Sequence, residues 1–175
     1  MRRGYLPIQR LVHWLMAAMI LATLFIGVAM VGTLAPRYWP LISTHKPLGI
    51  AILLLALMRL GLRARYGAAH LPADLPQSMI IGARVSHVLL YLLMFALPLL
   101  GWSMLSAGGY PIVLYGPVHL PPIAPHSDAL YTLLRLAHTW LAFLFFVAIL
   151  MHIAAAFFHA LVRRDDVFAG MAPWK

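Results

Sequence analysis

An all-α integral membrane protein, built as a four-transmembrane-helix bundle, is the fold class that three features of this sequence predict. The 175-residue chain is 63% hydrophobic and only 10% charged, a composition foreign to soluble domains. Its apolar residues gather into four runs, each long enough to cross a hydrocarbon core of about 30 Å. The connections between those runs contain proline, and no long soluble domain interrupts them. The chain therefore reads as a single membrane domain over residues 1–175, with helices at about 8–31, 46–64, 79–105 and 129–162.

The first helix follows Arg2, Arg3 and Arg10 and carries the apolar run from Leu11 to Val31. That run is longer than the apolar region of a signal peptide and no secreted-type domain follows it, so it is read as a span. A loop with Pro36, Arg37, Trp39 and Pro40 leads to His45-Lys46-Pro47, where the proline suits a first helical turn. The second helix ends at Arg63 and Arg65, and a connection from His70 to Pro76 follows. The third helix has Arg84 and His87 near its start. The loop from Ser106 to Ser127 is rich in Gly and Pro, holds His119 and His126, and contains no Lys or Arg. The fourth helix stops at Arg163-Arg164-Asp165-Asp166, and a short tail closes the chain.

Alternating the connections across a membrane puts Arg2, Arg3, Arg10, Arg59, Arg63, Arg65, Arg84, Arg163, Arg164 and Lys175 on the side of the termini. Only Arg37, Lys46 and Arg135 fall on the other. The positive-inside bias then predicts a bacterial inner-membrane protein with both termini cytoplasmic. The net charge of +9 is explained by this flanking pattern, and no nucleic-acid role is expected. With no long soluble segment on either face, substrates are expected to bind in or at the bilayer.

The chain has no cysteine. Disulfides, iron–sulfur clusters, thiolate ligands and covalent c-type haem attachment are thereby excluded. Acidic residues are nearly absent from the apolar runs, which disfavours a zinc or di-iron carboxylate site. Histidine remains, with nine copies, and imidazole is a ligand well suited to iron.

His138 and His152 stand fourteen residues apart in the fourth helix. On an α-helix that is about 21 Å of rise and about 40° short of four turns, so both rings share one face at opposite ends of a span. Ionisable groups at membrane depth are costly and default to a functional reading. The competing reading is that such histidines merely bridge helices by hydrogen bonds. By depth, His13, His87, His152 and His159 belong to the inner side, and His45 and His138 to the outer. Two b haems, each held by two imidazoles from different helices, would use four of these six.

The same interval recurs elsewhere. Gly27 follows His13 by fourteen residues, Gly101 follows His87, and Arg59 follows His45. Gly27, and Gly49 one turn after His45, leave room for close approach of a porphyrin. An intramembrane Arg59 needs an anionic partner that its helix does not supply, which points to haem propionates. His119 and His126 lie in a proline-rich loop, leaving His45 and His138 as the outer pair. For the inner pair spacing leaves His13, His87, His152 and His159 open; His152 is favoured by sharing the face of His138, and His13 by the complementary Gly27.

The residues Gln9-Arg10-Leu11-Val12-His13-Trp14, His45-Lys46-Pro47-Leu48-Gly49, Arg59, Gly82 to His87 with Tyr91 and Leu97-Pro98, and His138 with His152 and His159 resemble the bacterial cytochrome b561 family. Asp165, Met171 and Pro173 extend the likeness, which covers all four helices and not the second outer loop. The resemblance is to members that pass electrons from superoxide to ubiquinone. It implies that His13 and His152 bind an inner haem b, that His45 and His138 bind an outer one, and that the third helix supplies no iron ligand. It also implies a quinone site near the inner haem, with His87, His159 and Arg84 around it.

Lys46 and Arg135 flank the outer ligands in sequence, placed either to steer an anionic donor such as superoxide or to neutralise propionates. A cytochrome b subunit of respiratory formate dehydrogenase is similar in taking two ligands fourteen apart from one helix, so the same bundle also serves as an anchor for a protein partner. In that case the loop from Ser106 to Ser127, with Tyr110 and Tyr115, is a docking surface or a lid. A third expectation, a haem-free ion carrier using membrane histidines, requires the pigment to be absent.

Overall fold

The computed structural model describes residues 4–34, 36–69 and 72–172; of the positions named above, Arg2, Arg3, His70, Pro173 and Lys175 lie outside the described residues. Four helices, each long and apolar enough to cross a membrane, make the body: α1 (Pro7–Val31), α2 (Tyr38–Tyr66), α3 (Gln77–Ala107) and α4 (Asp128–Phe157). A π-helical turn (Phe158–Arg163) extends α4, and a short α5 (Asp166–Met171) follows. Between α3 and α4 a small antiparallel hairpin forms, β1 (Ile112–Tyr115) with β2 (Val118–Leu120).

Each helix begins and ends for a local reason. Pro7 occupies the first turn of α1, where its missing N–H costs nothing, and the Gln9 side chain accepts from Leu6 N–H at 3.0 Å. Gln9 also donates to the Gly67 carbonyl at 3.1 Å, tying the start of α1 to the end of α2. Helix α2 starts at Tyr38 rather than near residue 46, so Pro47 lies inside it and not in its first turn. Ser43 and Thr44 hydroxyls both donate to the Pro40 carbonyl, at 3.0 and 2.8 Å. They are back-bonds of the kind Ser and Thr make to carbonyls three and four residues earlier in a helix. Ser127 caps α4 by accepting from Leu130 N–H, with Asp128 in the first turn as the helix dipole favours.

The helices pack as two hairpins, α1 on α2 and α3 on α4, joined by contact between α2 and α3. The core is a single apolar layer at mid-height: Val12, Met16 and Ile20 of α1, Ile52 and Ala56 of α2, Leu93, Met94 and Leu97 of α3, Phe145 and Ala148 of α4. Large apolar residues such as Leu92, Phe143 and Val147 are exposed on the outside, the surface that lipid covers.

The two ends differ. At the terminal end, α5 folds back on α1: Tyr5 N–H donates to Gly170, Trp14 Nε1 to Met171 at 2.8 Å and Arg10 to Ala172 at 3.2 Å. At the hairpin end, β1 lies against α2 and α3. Trp102 Nε1 donates to Pro121 at 2.8 Å and Ile123 N–H to the Ser106 hydroxyl, folding the connection down over α3.

Candidate functional site

The buried layer of aliphatic and aromatic side chains separates two sets of histidines. At the hairpin end, His45 of α2 faces His138 of α4, ring centres 6.3 Å apart and planes at 68°. At the terminal end, His13 of α1 faces His152 of α4 at 6.2 Å and 75°. His87 of α3 also meets His152, at 6.0 Å and 65°. Position on the helices explains the layering: His138 and His152 occupy one face of α4, and the other helices carry their histidines at matching heights.

Glycines seat the rings at the hairpin end. A Cβ added at Gly27 would lie 3.6 Å from Cε1 of His45, and one at Gly101 would lie 3.4 Å from Cε1 of His138. The first helix of each hairpin thus offers bare backbone to the histidine of the second. Around Gly49 a Cβ would meet nothing within 4 Å, leaving open space one turn below His45. The order His13, Gly27, His45, Arg59 in the first hairpin is matched by His87, Gly101, His138, His152 in the second. Arg59 occupies the place where the second hairpin has His152.

The geometry fits a pair of bis-imidazole centres. The facing rings, 6.0 to 6.3 Å between centres, come from different helices and are of the residue type that would hold a haem iron. The buried Nδ1 atoms of His45 and His138 make no hydrogen bond of good geometry. Each histidine nevertheless faces helix backbone one turn before its glycine, at Thr23 and Leu97 respectively, which is the kind of outer contact that orients a ligating imidazole. Among the described residues no group of three or more His, Asp or Glu is arranged to hold a bare metal ion.

A small cleft at the terminal end is lined by Tyr5, Gln9, Arg59, Leu62, Arg63 and Tyr91. The charge of Arg59 acts on His13, His87 and His152, and neither Arg59 nor Arg63 has an ion pair among the described residues. Two arginines and two tyrosines thus border one cleft at this end.

The remaining expected site residues are dispersed. Lys46 Nζ donates to the Pro111 carbonyl at 3.4 Å, beside the hairpin, and Arg135 is exposed one turn before Thr139, whose hydroxyl it accepts through its carbonyl. Arg84 is exposed one turn before His87. His159 is in the π-helical turn, bonded to Asp165 at 2.7 Å. His126 Nδ1 is 2.9 Å from the Ala107 carbonyl and belongs to the connection's own packing. The Asp165 contact and the ring-seating role of Gly27 and Gly101 are features that sequence reasoning missed. A cluster of Arg and Asp after a helix was the only signal for the first, and the recurring interval the only signal for the second.

Four spans, half-buried imidazole pairs at two levels and a membrane arginine without an ion pair among the described residues are the features of a multi-pass membrane electron-transfer protein. The profile of prokaryotic cytochrome b561 matches residues 4–174, and the chain belongs to that family, whose members bind haem b. It is 30% identical over 181 residues to a probable superoxide oxidase CybB of Yersinia pestis, covering 100% of this chain and 99% of the relative. Two Escherichia coli K12 proteins, cytochrome b561 homologs 1 and 2, are 28% and 29% identical. They cover 75% and 91% of this chain and 74% and 86% of their own lengths.

Proposed function

We propose that the protein is a di-haem b oxidoreductase of the bacterial inner membrane, with both termini cytoplasmic, moving electrons from superoxide on the outer face to ubiquinone on the inner. The observation that carries this reading is the pair of facing histidine sets at opposite ends of α4. The haems would supply one-electron chemistry at two depths of the bilayer. His45 and His138 hold the outer one and His13 and His152 the inner. Arg59 and Arg63, with Tyr5 and Tyr91, receive the inner carboxylates. Gly49 keeps space beside the outer group, and Gly27 lets His45 approach α1. Lys46 and Arg135 give the outer end a positive field for an anionic donor. His87, Arg84 and His159, at separate positions of the inner end, are the residues assigned to the quinone.

The superoxide assignment draws on the name of the Yersinia pestis relative, and the orientation on the basic residues gathered at the terminal end. A protein donor is the alternative, supported by the hairpin β1–β2 and the exposed Tyr110 and Tyr115 at the outer end. The experiment is to supply the purified protein with a superoxide source and a soluble ubiquinone. Reduction of the haem by superoxide and its reoxidation by quinone support the enzyme reading. Haem that ignores superoxide and is reduced only with a co-purified protein supports the alternative.

A further inference from the structure

Beyond α4 the chain makes a reversal that a regular helix would not allow. The π-helical turn Phe158–Arg163 ends at Arg164, whose φ of 54° is left-handed, and this brings Asp165 back against His159. Asp165 Oδ2 lies 2.7 Å from His159 Nδ1 and 3.0 Å from Arg163 Nε. Its Oδ1 accepts Val167 N–H at 3.1 Å. Arg163 reaches on to Asp74, in the connection before α3, at 2.8 Å. π-Helical turns recur at functional sites, and this one sets a histidine two turns beyond His152 against a carboxylate fixed by three donors.

We infer that Asp165 is a positioning residue for His159, and that the two form the proton-delivery pair for quinone reduction at the inner end; this rests on the quinone reading above. Reduction of a quinone consumes two electrons, arriving through the chain's redox centres, and two protons, taken from water at the terminal end. A carboxylate accepts and never donates when ionised, so it holds the proton of His159 on Nδ1 and leaves Nε2 as the exchanging atom. With Nε2 protonated, the ring donates to a quinone carbonyl oxygen. Having passed that proton on, it presents a lone pair to be refilled by water, and the cycle repeats once for the second proton. Asp165 keeps the ring in one tautomer and one orientation throughout, as a buried carboxylate does for a catalytic imidazole.

Asp165→Asn separates this role from a structural one, because asparagine caps a helix as well as aspartate does and so preserves the start of α5. With decylubiquinone as acceptor, kcat is expected to fall tenfold or more with KM within about twofold, and the solvent deuterium isotope effect on kcat to rise. Haem content and spectrum stay as in the wild type. Asp165→Glu restores part of the rate, and Arg163→Gln, which keeps the His159 contact, costs less than threefold. Wild-type turnover and isotope effect in Asp165→Asn, with His159→Ala impaired, would overturn the pairing. So would an equal loss in Arg163→Gln and Asp165→Asn with no change in isotope effect. If the wild-type protein is not reoxidised by the quinone, the acceptor reading itself fails and takes the pairing with it.

Discussion

His45 and His138 come from different hairpins and meet with ring centres 6.3 Å apart, each resting against a glycine of the preceding helix. On the proposed reading the two would hold one haem together. His45→Ala and His138→Ala are each expected to lose the same haem and keep the other, halving haem per chain. Pyridine haemochrome assay against protein concentration measures this, and retention of both haems in either variant would break the assignment.

Gly49 and Gly101 are expected to fail differently. A Cβ at Gly101 would already touch His138 at 3.4 Å, so the branches of valine must displace the ring. Gly49 has open space instead, so Gly49→Val leaves the protein folded but fills the room the cofactor needs. Thermal unfolding is expected to drop in Gly101→Val and to hold in apo Gly49→Val, while both lose the outer haem.

Arg59 has no ion pair among the described residues, and its charge acts on the three terminal-end histidines. Removing a cation disfavours the reduced, more negative state of a nearby redox centre. Arg59→Leu is expected to lower the midpoint potential of one haem by about 60 mV, which is about 1.4 kcal/mol for one electron, and to leave the other in place. Spectroelectrochemical titration reads both.

The Asp165 carboxyl is partly buried, which opposes its charge, but hydrogen bonds from His159, Val167 and Arg163 outweigh this and hold its pKa below the ordinary value. A depressed carboxylate contributes stability above its unfolded pKa of about 3.9 and loses it as pH falls through the lower folded value. The docking of α5 is therefore expected to persist through mild acid and to loosen only below about pH 4. Hydrogen exchange at Val167 and Phe168 against pH reports it.

Much of this was legible in the sequence. Apolar run lengths placed four spans, and the interval from His138 to His152 placed two levels, because a regular helix converts spacing directly into height and direction. What escaped depends on departures from regularity. The early start of α2 at Tyr38 carries the helix through Pro40 to Thr44, before the apolar run, where no periodicity announces it. The return of Asp165 to His159 needs a π-helical turn and a left-handed Arg164, neither of which a regular helical period announces. The choice between His13 and His87 stays open to spacing because both meet His152 at almost the same distance.

Haem stoichiometry with reduced-minus-oxidised spectroscopy of the purified chain tests the central claim most directly. Two b-type haems per chain, titrating as two components with bis-imidazole spectra, is the expected result. A single haem, or a protein that folds without any, would contradict the assignment of facing histidine pairs at both ends of α4.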